Sequence, residues 1–400
     1  MKRFVKIVAF SSVVATLVYG GGYKIPEVST NAIALSSANV AHNLSADADY
    51  YNPANMVFME DKHTFEADIV YVGLDGVKYK GVGTQAGVDI AAKKESFVLP
   101  EIHYVSPWLG TARVGLSVTV PGGLSKRWSA SPAVDRAKEF TLEVIEVNPS
   151  IGLKITDNLA FGFGFRIVNS KGYVKSSSLA SRDMQGDSTD YGYNLALSYK
   201  PTKNIALAAT YRSRVNLTEE GNAKLYIGNA KVYDGGSTVA VPLPATLNIA
   251  AAYSFESQTT VELVYEKVFW SAYKTLDFNY ASAISPILVP YFDTPIEKNW
   301  HDTNVFRLGI TQKLDEVTLM AGMVYDKSPV SDETLSFELP DSDSISYSLG
   351  GRYQFNDRIN FGGSLLYSVR KDREAHNSTI DGTFSNANVL IASLGLEYKF

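Results

Sequence analysis

The sequence predicts an all-β fold: a 14-stranded antiparallel transmembrane β-barrel with an N-terminal plug, or hatch, inside the lumen. Three observations carry that prediction. From about residue 63 to the C-terminus, apolar residues recur with period two, the repeat of a strand with one apolar face. Short polar turns and long connections alternate strictly, six of the first and seven of the second, which makes fourteen strands with both ends of the sheet on the short-turn side. Beyond roughly residue 20, no stretch approaches the 18 or so uncharged apolar residues a membrane helix needs, so a helical membrane protein is excluded.

The chain opens with Lys2, Arg3 and Lys6, an apolar stretch over 7–17, and the small residues Gly20, Gly21 and Gly22. This three-part order is that of a secretory signal peptide, assigned to residues 1–20. A short buried helix is the alternative, but it gives no reason for charges ahead of the apolar run and glycines behind it. Cleavage near Gly20 or Gly21 removes three positive charges and takes the net charge from -5 to about -8. A nucleic-acid partner is therefore not expected. The absence of cysteine suits a protein that crosses an oxidising periplasm with no use for thiols.

Residues 21–61 do not read as strands, apart from a short helix predicted over 30–42. Ala32, Ala34, Ala38, Ala41 and Ala46 are interleaved with Ser, Asn and Asp, a composition suited to a compact plug and too apolar for a flexible tail. The barrel proper is assigned to 62–400. Leu159, Phe161, Phe163, Phe165 and Ile167 alternate with Ala160, Gly162, Gly164 and Arg166, and 345–355, 191–199, 205–212, 359–369 and 389–400 read similarly. Short turns fall at 106–111, 156–158, 200–204, 256–258, 314–316 and 356–358. Long connections fall near 76–95, 121–139, 172–188, 218–238, 279–302, 327–340 and 371–385. This is the asymmetry of a bacterial outer-membrane barrel. A soluble sandwich or propeller would not normally place all its long loops on one side. In the last strand Leu390, Leu394, Leu396, Tyr398 and Phe400 share one parity, and the chain stops at the aromatic.

Several stretches resemble the FadL/TodX family of outer-membrane transporters for hydrophobic compounds. They begin with Gly22-Tyr23-Lys24-Ile25-Pro26-Glu27, Asp47-Ala48-Asp49 and Asn52-Pro53-Ala54, and continue with Val120-Pro121-Gly122-Gly123-Leu124 and Trp128. Asn148-Pro149-Ser150-Ile151, Leu243-Pro244-Ala245-Thr246-Leu247, Trp270 with Tyr273, and Tyr325-Asp326-Lys327-Ser328-Pro329-Val330 follow in order. The resemblance covers nearly the whole mature chain. It implies passive, diffusion-driven uptake of hydrophobic compounds, long-chain fatty acids or aromatic hydrocarbons, with capture among outer loops, an interior pocket partly lined by the N-terminus, and a hatch movement. The resemblance further implies exit sideways through a kink in the third strand, here 112–120, where Gly115 on the lumen face is the expected place of the bend. It also implies an outer-membrane location in a Gram-negative bacterium, contact with membrane lipid and lipopolysaccharide, handling by the barrel assembly machinery through the terminal Phe400, and a monomer. Ser36, Ser37 and Asn55 stand where the family commonly has glycines.

For the interior pocket the candidates are Tyr23 and Ile25, with Arg166 or Lys171 as counter-charge to a head group. Arg212 and Arg352 are further lumen cations by parity, and any of these cations could instead pair with lumen acids such as Glu66, Asp68 or Glu262. Asn52, Pro53, Ala54 and Gly115 are the hatch and gating candidates. Ile284, Ile287, Leu288, Val289, Tyr291 and Phe292 form an apolar run in an outer connection, and Ile287, Leu288, Tyr291 and Phe292 are its candidate capture site. No catalytic residue, metal site or cofactor is expected. The five histidines are dispersed without metal-ligand spacing, and His376 near Ser378 lies in a polar loop with no oxyanion site. The alternative function is a structural or adhesive surface barrel, or a general porin.

Overall fold

The computed structural model describes residues 21–43 and 45–400, so the export signal assigned to 1–20 lies outside the described residues. Barrel strands β1 (Thr64–Leu74), β2 (Glu95–Val105), β3 (Ala112–Lys126), β4 (Glu139–Lys154), β5 (Leu159–Lys175) and β6 (Ala180–Tyr199) are followed by two strands that each come in two pieces. These are β7 (Ile205–Arg212 and Val215–Ile227) and β8 (Ala230–Leu243 and Ala245–Ser254). β9 (Thr259–Phe269), β10 (Thr303–Leu314), β11 (Val317–Asp326), β12 (Ser344–Gln354), β13 (Ile359–Arg370) and β14 (Val389–Lys399) complete the set. Each pairs antiparallel with its neighbours in the chain, and β1 also pairs with β14, from Thr64 opposite Lys399 to Leu74 opposite Val389. The ring is closed, which satisfies backbone groups that lipid cannot. At the seam Phe400 and His63 exchange backbone hydrogen bonds of 3.0 and 3.1 Å, and their rings stack at 4.7 Å.

All six short turns stand where the sequence places them. Two of the seven long connections do not. The stretch 172–188 is mostly paired strand, with β5 and β6 in register as far as Lys175 opposite Asp183. Likewise β7 and β8 run on to Ile227 opposite Ala230. At about 3.3 Å per residue, the 20 residues of β6 reach far beyond a membrane band about 25 Å tall. Outside that band both faces meet polar surroundings, so the apolar alternation fades and the sequence reads as loop.

Side-chain parity is inverted relative to a soluble sheet. Phe163, Phe165, Tyr193, Leu195 and Leu197 are exposed on the outside, while Gly162, Gly164, Arg166 and Asn194 point inward. The inward positions are buried because residues 21–61 fill the ring. Thr30 hydrogen-bonds Asp68 of β1 (2.5 Å), Ser36 meets Ser348 of β12 (2.8 Å), and Asn52 donates to Ser198 of β6 (2.8 Å). Glu262 of β9 accepts the amides of Val40, Ala41 and His42 at 2.6, 2.7 and 3.0 Å. Anchors on strands all round the barrel place the segment inside it.

The helix predicted over 30–42 is shorter, Thr30–Ala34. Ser29 caps its start, accepting the Ala32 amide at 3.0 Å. Its end is a Schellman turn, in which the Ser37 amide bonds the Ala32 carbonyl (2.7 Å) and the Ser36 amide bonds that of Ile33 (3.3 Å). Ser36 and Ser37 have φ of 49° and 60°. The chain thus adopts a glycine-like conformation with serines, whose hydroxyls are engaged by Ser348 and by the Pro26 carbonyl.

Candidate functional site: the strand formed by residues 23–25

The lower half of β3 is regular, paired to β2 from Gly115 opposite Val105 to Val118 opposite Ile102. Pairing with β2 stops there. Against β4 the register slips between Thr119 and Gly122. From Thr119 to Lys126 every residue is buried, whereas Val114 and Leu116 below are exposed in alternation. The upper half of β3, still paired to β4 from Gly122 opposite Val144 to Lys126 opposite Phe140, has therefore parted from β2 and carries its free edge inward. Pro121 explains the break, since it has no N–H to give the ladder and restricts its own backbone. Glu101 of β2 accepts the Val120 amide (3.1 Å), and Glu95 accepts Ser125 (2.6 Å) and pairs with Arg127 (3.2 Å). Carboxylates replace the missing ladder.

The expected bend at Gly115 is not observed. An added Cβ there would lie 2.7 Å from Asp49 Cβ and 2.8 Å from Met56 Sδ, so glycine leaves room for the N-terminal segment.

Residues 23–25 bind the inward edge of β3 as a short strand. The Ile25 amide donates to the Pro121 carbonyl and the Gly123 amide to that of Tyr23, both at 2.9 Å. Gly21 and Gly22 (φ 80° and 78°) turn the chain into this position. Tyr23 is held by its hydroxyl, which donates to the Pro242 carbonyl (2.6 Å), and by edge contact with Trp270 (4.9 Å).

This strand separates two chambers. The outer one, about 40 Å³, is apolar and lined by Tyr23, Leu124, Leu142, Val174, Tyr273 and Trp300 among others. Lys298 and Glu338, 2.6 Å apart, close its wall from the outer loops. Burial opposes charge on Glu338, but Lys298 outweighs it and brings the carboxyl down to about 2. The inner chamber, about 60 Å³, is ionic: Lys24, Arg166, Arg212, Glu266 and Arg307 line it. Its cations are matched by acids. Glu146 pairs with both Arg166 (2.8 Å) and Arg212, and Glu266 with both Arg307 (2.8 Å) and Lys24.

Tyr23, Ile25 and Arg166 come together around this strand. Lys171 does not join them: it lies five residues from Arg166, an odd number, so it sits on the opposite, exposed face of β5. Arg352 pairs with Glu66 and bonds Asn31, so the lumen arginines serve ion pairs. Asn52 braces the segment through Val40 (2.7 Å) and Ser198, Pro53 begins a 3-10 turn, Pro53–Phe58, and Ala54 packs buried beneath. The outer apolar run splits: Ile284, Leu288 and Phe292 are buried, while Ile287 (61% exposed) and Tyr291 (65%) face out. His376 turns to Asp381 and Glu374, in a small outer sheet away from both chambers. The sequence reading did not single out Lys24, Glu101, Glu219, Lys298 or Glu338. Parity on β2 and β7 could have found Glu101 and Glu219, as acids among lumen-facing positions, but not the loop pair.

A family model described as "Outer membrane protein transport protein (OMPP1/FadL/TodX)" matches residues 11–400. The chain belongs to this family. Among relatives of this FadL/TodX member, the long-chain fatty acid transport protein of Escherichia coli O6:H1 is 25% identical, with 90% of each chain covered. Outer membrane protein P1 of Haemophilus influenzae (strain Rd) is 22% identical over 96% of this chain and 98% of its own. Among solved structures, a Pseudomonas aeruginosa FadL homologue superposes with a TM-score of 0.83 at 19% identity, covering 95% of this chain and all (100%) of that one. The Pseudomonas putida toluene transporter TodX gives 0.74 at 16%, covering 97% and 100%. At these identities the structures speak for the fold: a closed outer-membrane barrel.

Proposed function

We propose that this outer-membrane protein takes up hydrophobic compounds, long-chain fatty acids first among them, by diffusion through the outer chamber and releases them sideways into the membrane where β2 and β3 part. Residues 21–61 act as the hatch. The observation that carries the reading is the double role of residues 23–25: the Tyr23 ring floors the apolar chamber while its backbone covers the edge β3 exposes. One displacement of this strand enlarges the chamber and uncovers the edge together.

The chamber's 40 Å³ is far below the roughly 300 Å³ or more of a ligand pocket. An alkyl chain therefore enters by moving a wall, driven by about 25 cal/mol per Å² of apolar surface removed from water. Residues 23–25, joined to β3 by few backbone bonds, are the wall that yields most readily. Ile287 and Tyr291 serve as the first contact outside, and Asn52, Pro53 and Ala54 hold the rest of the hatch in place. Fatty-acid cargo is supported by the likeness to the Escherichia coli long-chain fatty acid transport protein and by the polar groups on residues of the chamber wall.

Deleting residues 21–25 with signal cleavage preserved is expected to lower uptake of a labelled long-chain fatty acid severalfold while the barrel still assembles. Unchanged uptake at equal surface level would remove the role assigned to the N-terminus.

A further inference from the structure

Among the described residues, three that line the outer chamber each carry a buried polar atom without a hydrogen-bond partner: Thr141 Oγ1, Glu219 Oε1 and Trp300 Nε1. Each belongs to a residue at most 5% exposed, and all three residues line the same apolar space. Native proteins rarely leave such groups unsatisfied, because each costs about 1–3 kcal/mol of lost solvation. Three on residues around one cavity describe the polar group that the cavity would take.

Their chemistry specifies it. An indole N–H only donates, so it requires an acceptor, and an ionised carboxylate oxygen only accepts, so it requires a donor. Glu219 lies over Gly172, where an added Cβ would be 3.1 Å from Oε1, and the charged groups that act on it are Asp187 and Asp190, both acids. Its other contact is the Ser170 hydroxyl. By contrast, Glu338 in the same wall already has Lys298. Glu219 thus stands in the apolar chamber without a cation, and a second carboxylate beside it would be repelled unless a proton were shared.

We infer that Glu219 selects cargo whose polar end carries a hydrogen-bond donor, an undissociated fatty acid or a long-chain alcohol, over a bare hydrocarbon or an ester of equal length. The donor goes to Glu219 Oε1 and the cargo's oxygen accepts from Trp300 Nε1. This rests on the proposed function in taking the outer chamber as the seat of the cargo.

The test is competition of unlabelled 1-hexadecanol and methyl hexadecanoate against labelled 1-hexadecanol at pH 9, on the purified barrel in lipid nanodiscs. The alcohol is expected to compete about tenfold better than the ester, the ratio that 1.4 kcal/mol of hydrogen bonding gives. Glu219→Gln, which keeps an acceptor oxygen, should preserve the preference, and Glu219→Leu should bring the two within about twofold. Trp300→Phe should weaken both competitors alike and leave their ratio unchanged. Equal competition in the wild type, or a ratio that survives in a folded Glu219→Leu, overturns the assignment. If labelled hexadecanoic acid fails to bind the same barrel at pH 5, the fatty-acid reading falls instead. Should Glu219→Leu not assemble, a loss of preference in Glu219→Gln counts against the inference.

Discussion

Glu146 lies buried in the lumen between Arg166 and Arg212 and pairs with both. Replacing it by glutamine leaves two guanidinium groups in the interior with one neutral partner. Breaking a buried pair from one side costs about 3–5 kcal/mol, so Glu146→Gln is expected to lower stability by that order in urea unfolding of the purified barrel. Glu338 offers a titration at the same scale. Its folded value of about 2 lies below the ordinary 4.5, so its pair with Lys298 stabilises the fold fully above about pH 4.5 and the contribution is lost as pH falls toward 2. Protease resistance of the outer loops should stay level from pH 7 to 5 and decline below. Lys298→Met should abolish that decline. Residue types and parity made the lumen charges legible in the sequence: Arg166, Arg212 and Arg352 do face inward. Of their partners, Glu66, named among the lumen acids, does pair with Arg352, but Glu146 was not legible, since it and Arg212 are 66 residues apart and meet only through the curvature of the wall.

At the scale of elements, β3 decides where the ladder between β2 and β3 ends. Its sequence announces the break through Pro121 followed by Gly122 and Gly123, yet Gly115 suggests a bend as well, because a lumen-facing glycine in a strand reads as flexibility. Gly115 instead provides clearance for Asp49 and Met56. Two physical reasons for a glycine in a strand give the same letter. Pro121→Ala restores an N–H and frees the backbone to rejoin the ladder. It is expected to reduce fatty-acid uptake severalfold at unchanged surface level, and amide exchange of 119–123 should slow. The elongated β5 to β8 were misread for a related reason: strands that leave the bilayer lose the apolar alternation by which strands are recognised.

For the whole molecule, the consequence of fourteen strands is a ring too wide for its own side chains to fill. Residues 21–61 occupy it through anchors on β1, β2, β3, β6, β9 and β12. The intact barrel should therefore pass little ion current in a planar bilayer, whereas one lacking 21–61 should show a steady, large aqueous conductance. A large steady conductance in the intact protein would instead favour the general porin.

The strand count, the sidedness of the loops and the inward polar face were determined by the sequence alone. Each is written in local period and turn chemistry, which a chain states residue by residue. The seating of residues 23–25 against β3, the pairing of each lumen cation and the convergence of Thr141, Glu219 and Trp300 on one chamber were decided only by the tertiary structure. Closing the ring brings together groups up to hundreds of residues apart, and local sequence carries no signal of which groups meet across a lumen.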